Sequence, residues 1–298
     1  MAKQSQLWMP PKRAESLFLR ALKSEVNNLA EIFSKKTTKD SLEELLSKYL
    51  NSDIYLKWQN NTVDTLLGGL LRKTETSIKE SLKSGVENKQ VLATKLKKIK
   101  EDDMLFTVLL AQRLRKEVKQ NIDNVFIKMK EDALGWLEHQ SKLKRLIFKL
   151  RGKDRTEALS KYLKKKNIKW ADTIARTNTS RLNTHIIETR SKLLGIIAYI
   201  WDAENDRRTR SSHRFMNDVI VFWDDVPTPG IYEIRYKNNR AVHAGQDFNC
   251  RCTPKPIIDW MSIFNGKGTV RVWVNGRVET MSTKQLKLLV ERKLGVKL

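Results

Sequence analysis

The feature that most restricts this chain is the absence of proline between Pro11 and Pro227. Proline removes a backbone donor and crowds the preceding turn, so a run this long without one permits long, uninterrupted helices. Apolar residues in the run keep helical spacing. Leu17, Leu22, Val26, Leu29 and Phe33 mark one face, and Leu42, Leu45, Leu46 and Tyr49 a second, with Asp40 placed to cap it and Glu43 three residues on. Gly68-Gly69 and Gly85 mark hinges or packing points. The longest signal runs from Leu105 to Leu150, where Leu110, Leu114, Val118, Ile122, Val125 and Met129 form a stripe with charged residues between its members. Such a stripe must bury itself against another helix, from this chain or from a partner. Gly135 is placed to end or bend that helix. Trp170 to Leu194 reads as a further helix with Gly195 as its stop.

After Gly195 the pattern changes. Ile196-Ile-Ala-Tyr-Ile-Trp201 is an apolar, β-rich run, Val219 to Trp223 a second, and Ile231 to Ile234 a possible third. Thr269–Val274 and the residues from Arg277 flank Asn275-Gly276, a strong hairpin signal, and Ser282 or Thr283 then caps a last helix. The expected fold class is α+β: a long, mainly helical N-terminal region followed by a small mixed α+β module. The expected division is 1–168 helical, 169–262 a motif-bearing module, and 263–298 a hairpin plus helix. With 298 residues the chain can bury a sizeable core.

The net charge of +24 points to a polyanionic partner, because so large an imbalance otherwise costs self-repulsion. Between Ser141 and Trp170 twelve Lys or Arg face only Asp154 and Glu157. Lys142, Lys144, Arg145, Lys149, Arg151, Lys153, Arg155, Lys164, Lys165 and Lys166 are the candidate nucleic-acid contacts. They have the composition of phosphate neutralisation, without the aromatic or zinc-finger patterns that read bases. The partner expected is therefore double-stranded DNA bound without sequence preference; the competing reading is a solvated helix face. The first residues lack the apolar core of a signal peptide, and no apolar run reaches the length of a membrane span. Two cysteines do not make a disulfide scaffold, so a soluble chain made in a reducing cytoplasm is expected.

The unusual chemistry is concentrated between Trp201 and Pro254. Both cysteines lie there, as Cys250-Arg-Cys252, with two of the four histidines, His213 and His243. These four side chains are a candidate ligand set for Zn2+, whose preferred donors are thiolate and imidazole. The alternative is that the reduced cysteines pack as small apolar groups. A Cys250–Cys252 disulfide would need strained geometry. Arg207, Arg208, Arg210 and Arg214, beside Glu204 and Asp206, have the composition of a carboxylate-pairing or phosphate-binding cluster, with Asp206 placed to fix a neighbouring arginine and cap the helix that begins there. An enzyme would have to use the same residues, with His213 or His243 as general base of a nuclease or transferase. The deaminase, P-loop, zincin and nucleophile-elbow signatures are all absent, so no catalytic residue and no small-molecule substrate are expected.

The order of these pieces carries a resemblance. A strand ending in Trp201, then Asp206-Arg207-x-Thr209-Arg210-x-x-His213, then His243-x-Gly245-x-x-x-Asn249-Cys250-Arg251-Cys252-x-Pro254, resembles the phage Mu F-like minor head proteins. Ile174 to Asn183 looks like the family's preceding helix, and the likeness covers roughly Trp170 to Pro256. Met216-Asn217-Asp218 departs from it by having Asp where the family has Gly, which weakens the case for a positive-φ turn there. The resemblance implies a virion component of the tailed-phage head, associated with the portal protein and other procapsid proteins, acting in head assembly or DNA delivery. It also gives Trp201, Asp206, Arg207 and Arg210 the standing of a structural motif.

Overall fold

In the computed structural model, residues 7–35, 39–85, 89–139, 155–233, 239–266 and 268–297 are described. Five helices come first: α1 (Lys12–Ser34), α2 (Lys39–Leu50), α3 (Asp53–Gly85), α4 (Lys89–Glu138) and α5 (Arg155–Leu193). Then follow β1 (Ala198–Asp202), α6 (Ser211–Phe215), β2 (Ile220–Phe222), a 3-10 turn (Pro229–Tyr232), β3 (Thr253–Pro256), α7 (Met261–Phe264), the hairpin β4 (Thr269–Val274) and β5 (Arg277–Ser282), and α8 (Thr283–Leu294). The chain is α+β. Its long helices precede a small five-stranded mixed sheet.

Two compact units divide the chain: Pro11–Gly69 with Leu109–Thr179, and Met1–Pro10 with Leu70–Val108 and Ser180–Leu298. The first is helical. Leu22, Val26 and Leu29 of α1 and Val118, Ile122, Val125 and Met129 of α4 are fully buried in it, so this part of the stripe is covered within the chain itself. At Gly69 an added Cβ would stand 2.8 Å from the Ala14 side chain, which identifies this glycine as a packing point in an unbroken α3 rather than a hinge. Gly135 likewise lies inside α4, which continues to Glu138. Asp40 sits in the first turn of α2 instead of capping it.

The second unit holds the sheet, in the order β3-β1-β2-β4-β5. β1 pairs antiparallel with β2 and β3, β2 pairs parallel with β4, and β4 pairs antiparallel with β5. Because successive side chains point to opposite faces, each strand divides its apolar residues between two cores. Tyr199, Trp201, Val221, Trp223 and Trp273 share one with Ile187 of α5, Met216, Ala244 and both cysteines. Ala198, Ile220, Phe222 and Val272 share the other with Leu286 and Val290 of α8. Trp201 and Tyr199 are thereby aimed at the loops that carry the motif.

The turns follow their residues. Asn275 (φ 54°) and Gly276 (φ 75°) both take the left-handed conformation that a two-residue hairpin turn requires. Ser282 accepts a hydrogen bond from Gln285 N, and the Gln285 side chain answers to Ser282 N, a complete capping box on α8. Asp218 makes the turn before β2 at φ 62°, so the positive-φ turn is present although Asp replaces Gly. One expected strand is not there. Pro229-Gly230-Ile231-Tyr232 is a 3-10 turn with proline at its start, where a fixed φ and a missing donor suit a helical turn and oppose a strand. Residues 234–238 lie outside the described residues.

Candidate functional site

β1 ends at Asp202, and the chain returns to the sheet in two loops on either side of α6 and the 3-10 turn. Asp206 organises the first loop. Its carboxylate accepts from Arg208 N at 2.9 Å, closing a turn, and from the Thr209 hydroxyl at 3.2 Å. It also accepts from the Arg251 guanidinium at 2.6 Å. The Arg251 hydrogen bond, more than anything else, holds this carboxyl well below the usual carboxylate range. Asp206 does fix a neighbouring arginine, Arg208, at 3.4 Å, and it also holds one across the fold, Arg251 of the Cys-Arg-Cys segment. It does not cap α6, which begins only at Ser211 behind Arg210.

Arg210 makes the second link. It donates to Asp247 at 2.5 Å and to the Phe248 carbonyl at 2.8 Å, tying the first loop to the residues before Asn249. Asn249 itself takes φ 55°, which turns the chain into Cys250. Arg214 donates to the Asp206 carbonyl at 3.0 Å, while Arg207 is exposed. Trp201 is fully buried and meets the His213 ring edge-on at 5.5 Å. The charged motif is therefore a set of carboxylate and carbonyl clamps closing over a tryptophan.

His213 lies at the centre. Its Nδ1 is 3.3 Å from Cys250 Sγ and 3.4 Å from Cys252 Sγ, and its Nε2 is 3.4 Å from Asp247 Oδ2. All three of His213, Cys250 and Cys252 are buried, and their donor atoms lie within 4.8 Å of one another. Burial would pull the His213 pKa down, but Asp247 and then the Cys250 sulfur outweigh it and push it up to about 9. Burial likewise opposes ionisation of Asp247, and the hydrogen bond from His213 with the Arg210 charge brings it to about 2. Cys250 is lowered by the hydrogen bond from Cys252, while Cys252 is raised by its bond to Cys250.

His243 stands apart from this group. Its Nδ1 is 3.1 Å from the Tyr199 hydroxyl, and its ring packs edge-on against Trp223 at 5.2 Å. Ala244 N donates to the Tyr199 oxygen at 3.3 Å, so the hydroxyl proton is free to point at His243. Burial, outweighing the opposing charge of Glu188, lowers its pKa to about 4, and it is a neutral acceptor in the core. The expected four-ligand set thus resolves into three residues together and one elsewhere.

Between them lies Gly245, at φ 87°. Thr184 of α5 donates to the Ala244 carbonyl at 2.6 Å, and Arg181 to the Gln246 carbonyl at 2.7 Å, so the His-x-Gly turn is pressed onto the helix. Ser211 and Ser212 donate to Glu233 at 2.5 and 2.9 Å and fasten α6 to the 3-10 turn. Asp247, Glu233, Tyr199 and Thr184 did not stand out in the sequence. The surplus of arginine over carboxylate in residues 204–214 was the signal that an acid from elsewhere had to enter.

The basic segment is described only in part. Lys142, Lys144, Arg145, Lys149, Arg151 and Lys153 lie outside the described residues. Lys164 pairs with Glu31 at 2.8 Å, Lys166 with the buried Asp132 at 2.8 Å, and the Arg155 guanidinium lies 6.0 Å from the Trp136 ring centre. Lys165 is exposed. Two of these cations are thus engaged inside their own unit. No helix among the described residues is long and apolar enough to cross a membrane.

Comparison with known proteins follows the same stretch. The family described as "Phage Mu protein F like protein" matches residues 144–254, ending on the proline that closes the motif. A protein of Haemophilus influenzae, described only as uncharacterized, is 34% identical over 86 residues, which are 29% of this chain and 17% of that protein. The chain thus matches about a sixth of that relative's length. No solved structure matches.

Proposed function

We propose, for a chain whose residues 144–254 match the family described as "Phage Mu protein F like protein", a structural role in phage head morphogenesis as part of the virion. In this reading it is a minor component of a tailed-phage head, seated with the portal and other procapsid proteins. It acts in assembly or DNA delivery and touches DNA without reading its sequence. The observation that supports a structural role over a catalytic one is how the motif spends its polar groups. Asp206 holds Arg251, Arg210 holds Asp247, and His213 lies between Asp247 and the sulfurs. The cavity beside His213 and Asp247 measures about 20 Å3, room for one water and not for a substrate.

The DNA contact rests on the +24 charge and on the cations between Ser141 and Trp170. Its test is a gel-shift titration against salt with duplexes of unrelated sequence. Binding should be equal among them and should fall by about 0.9 log units per log unit of salt for each phosphate contacted. Flat salt dependence, or no binding at low salt, contradicts the DNA role. Co-purification of the portal with the tagged chain from infected or induced cells tests the other partner.

A further inference from the structure

One imidazole nitrogen facing two sulfurs is the most specific arrangement in the molecule. His213 Nδ1 lies 3.3 and 3.4 Å from Cys250 Sγ and Cys252 Sγ. A single N–H cannot point along both lines, so hydrogen bonding accounts well for only one of them. A metal ion accounts for both. With metal–nitrogen and metal–sulfur bonds of about 2.0 and 2.3 Å at tetrahedral angles, the N···S edge is about 3.5 Å. The other ring nitrogen faces Asp247 at 3.4 Å. A carboxylate can only accept there, so Nε2 keeps its proton and Nδ1, facing the sulfurs, is the nitrogen whose lone pair a metal would take in exchange for a proton. That is how metal-bound histidines are oriented by an outer carboxylate.

We propose that His213 Nδ1, Cys250 Sγ and Cys252 Sγ bind one thiophilic divalent cation, zinc in the cell, with Asp247 as the residue that orients the imidazole. His243 has no part in it. The site joins α6 to the segment that enters β3, so the ion cross-links the two loops that the Asp206–Arg251 and Arg210–Asp247 pairs also clamp. All three ligands are buried, at 5%, 4% and 4% exposure, which favours a structural ion retained through purification over one in exchange with solvent. Binding displaces to solvent whatever protons His213 Nδ1 and the two sulfurs carry, so affinity falls with acid.

The experiment uses the full chain, purified without a histidine tag. Elemental analysis should find one zinc per chain. Cobalt added to chelator-stripped protein should give the tetrahedral d–d bands and a thiolate-to-cobalt charge-transfer band that saturates at one equivalent. Cys250→Ser, Cys252→Ser and His213→Asn should each abolish equimolar binding, and His243→Asn should retain it. Asp247→Asn should weaken it about 10–100-fold. The cobalt spectrum of the unmutated chain reports thiolate ligation directly, so the proposal remains testable if a cysteine variant fails to fold. A chain that takes up no cobalt, or whose cobalt spectrum lacks the thiolate band, overturns the site. Equimolar binding that survives loss of both cysteines overturns it equally.

Discussion

Gly245→Ala isolates the contact that seats the His-x-Gly turn on α5. The residue has φ 87°, which an L side chain adopts at a cost of about 1–2 kcal/mol. The new methyl would also stand 2.5 Å from Thr184 Oγ1, 2.9 Å from the Cys252 carbonyl oxygen and 3.0 Å from Ser180 Oγ. The Thr184 hydroxyl cannot rotate away freely, since it donates to the Ala244 carbonyl at 2.6 Å, and the Cys252 oxygen belongs to the backbone. Overpacking of this kind costs about 1–3 kcal/mol. Against both stands about 0.4–1 kcal/mol gained by stiffening the unfolded chain. The net expectation is a loss of about 2–4 kcal/mol. Gly195→Ala is the control, because Gly195 has φ 70° and open space around its missing Cβ. It should lose only about 1 kcal/mol, the backbone cost alone. Urea unfolding followed by tryptophan fluorescence reads both, since Trp201, Trp223 and Trp273 sit in the core beside the turn. If the two variants are equally stable, the close packing of Gly245 against α5 is wrong.

His243 predicts a pH dependence with a definite sign. Its ordinary value of 6.5 falls to about 4 in the fold, where Glu188, Lys192 and His185 are the charged groups around it and the Tyr199 hydroxyl faces its Nδ1. The stability it contributes is complete above pH 6.5 and is lost as pH falls towards 4, because the unfolded chain then binds a proton that the folded chain refuses. Compared with His243→Gln, the unmutated chain should lose about 3 kcal/mol more over that interval, and parallel stability–pH curves would refute the neutral assignment. Val118→Asp with Ile122→Asp places two carboxylates at fully buried positions of α4. The helical unit should fail to fold, which circular dichroism and size exclusion detect; native helicity and cooperative unfolding would show that the stripe is not core.

Much of the fold was legible because it rests on local rules. The proline-free run gave the helices, and their apolar stripes proved to be core at Val118, Ile122, Val125 and Met129. Asn275-Gly276 and Ser282 fixed the hairpin and the last helix by turn and capping chemistry alone. What a local pattern could not reveal was pairing across the fold. The parallel ladder of β2 with β4 brings the C-terminal hairpin into the sheet of the motif-bearing strands, and nothing in either strand announces it. Ile231 to Ile234 read as a strand by composition, but Pro229 set the backbone to a 3-10 turn. At the site, residue types named the ligand candidates but not their faces. His213 reaches the sulfurs from α6, whereas His243, on the turn seated against α5, meets Tyr199 instead. Asp247 was silent in the sequence because its meaning depends on Arg210 and His213, each more than thirty residues away.

A structural component of the phage head must be found in the particles themselves. Quantitative mass spectrometry of gradient-purified procapsids and DNA-filled heads, scaled to the portal protein, measures it. A fixed, low ratio of this chain to portal is expected in both kinds of particle, resistant to a salt wash that removes loosely adsorbed basic proteins. A chain absent from both, or stripped from both by salt and left with the soluble lysate, would contradict it.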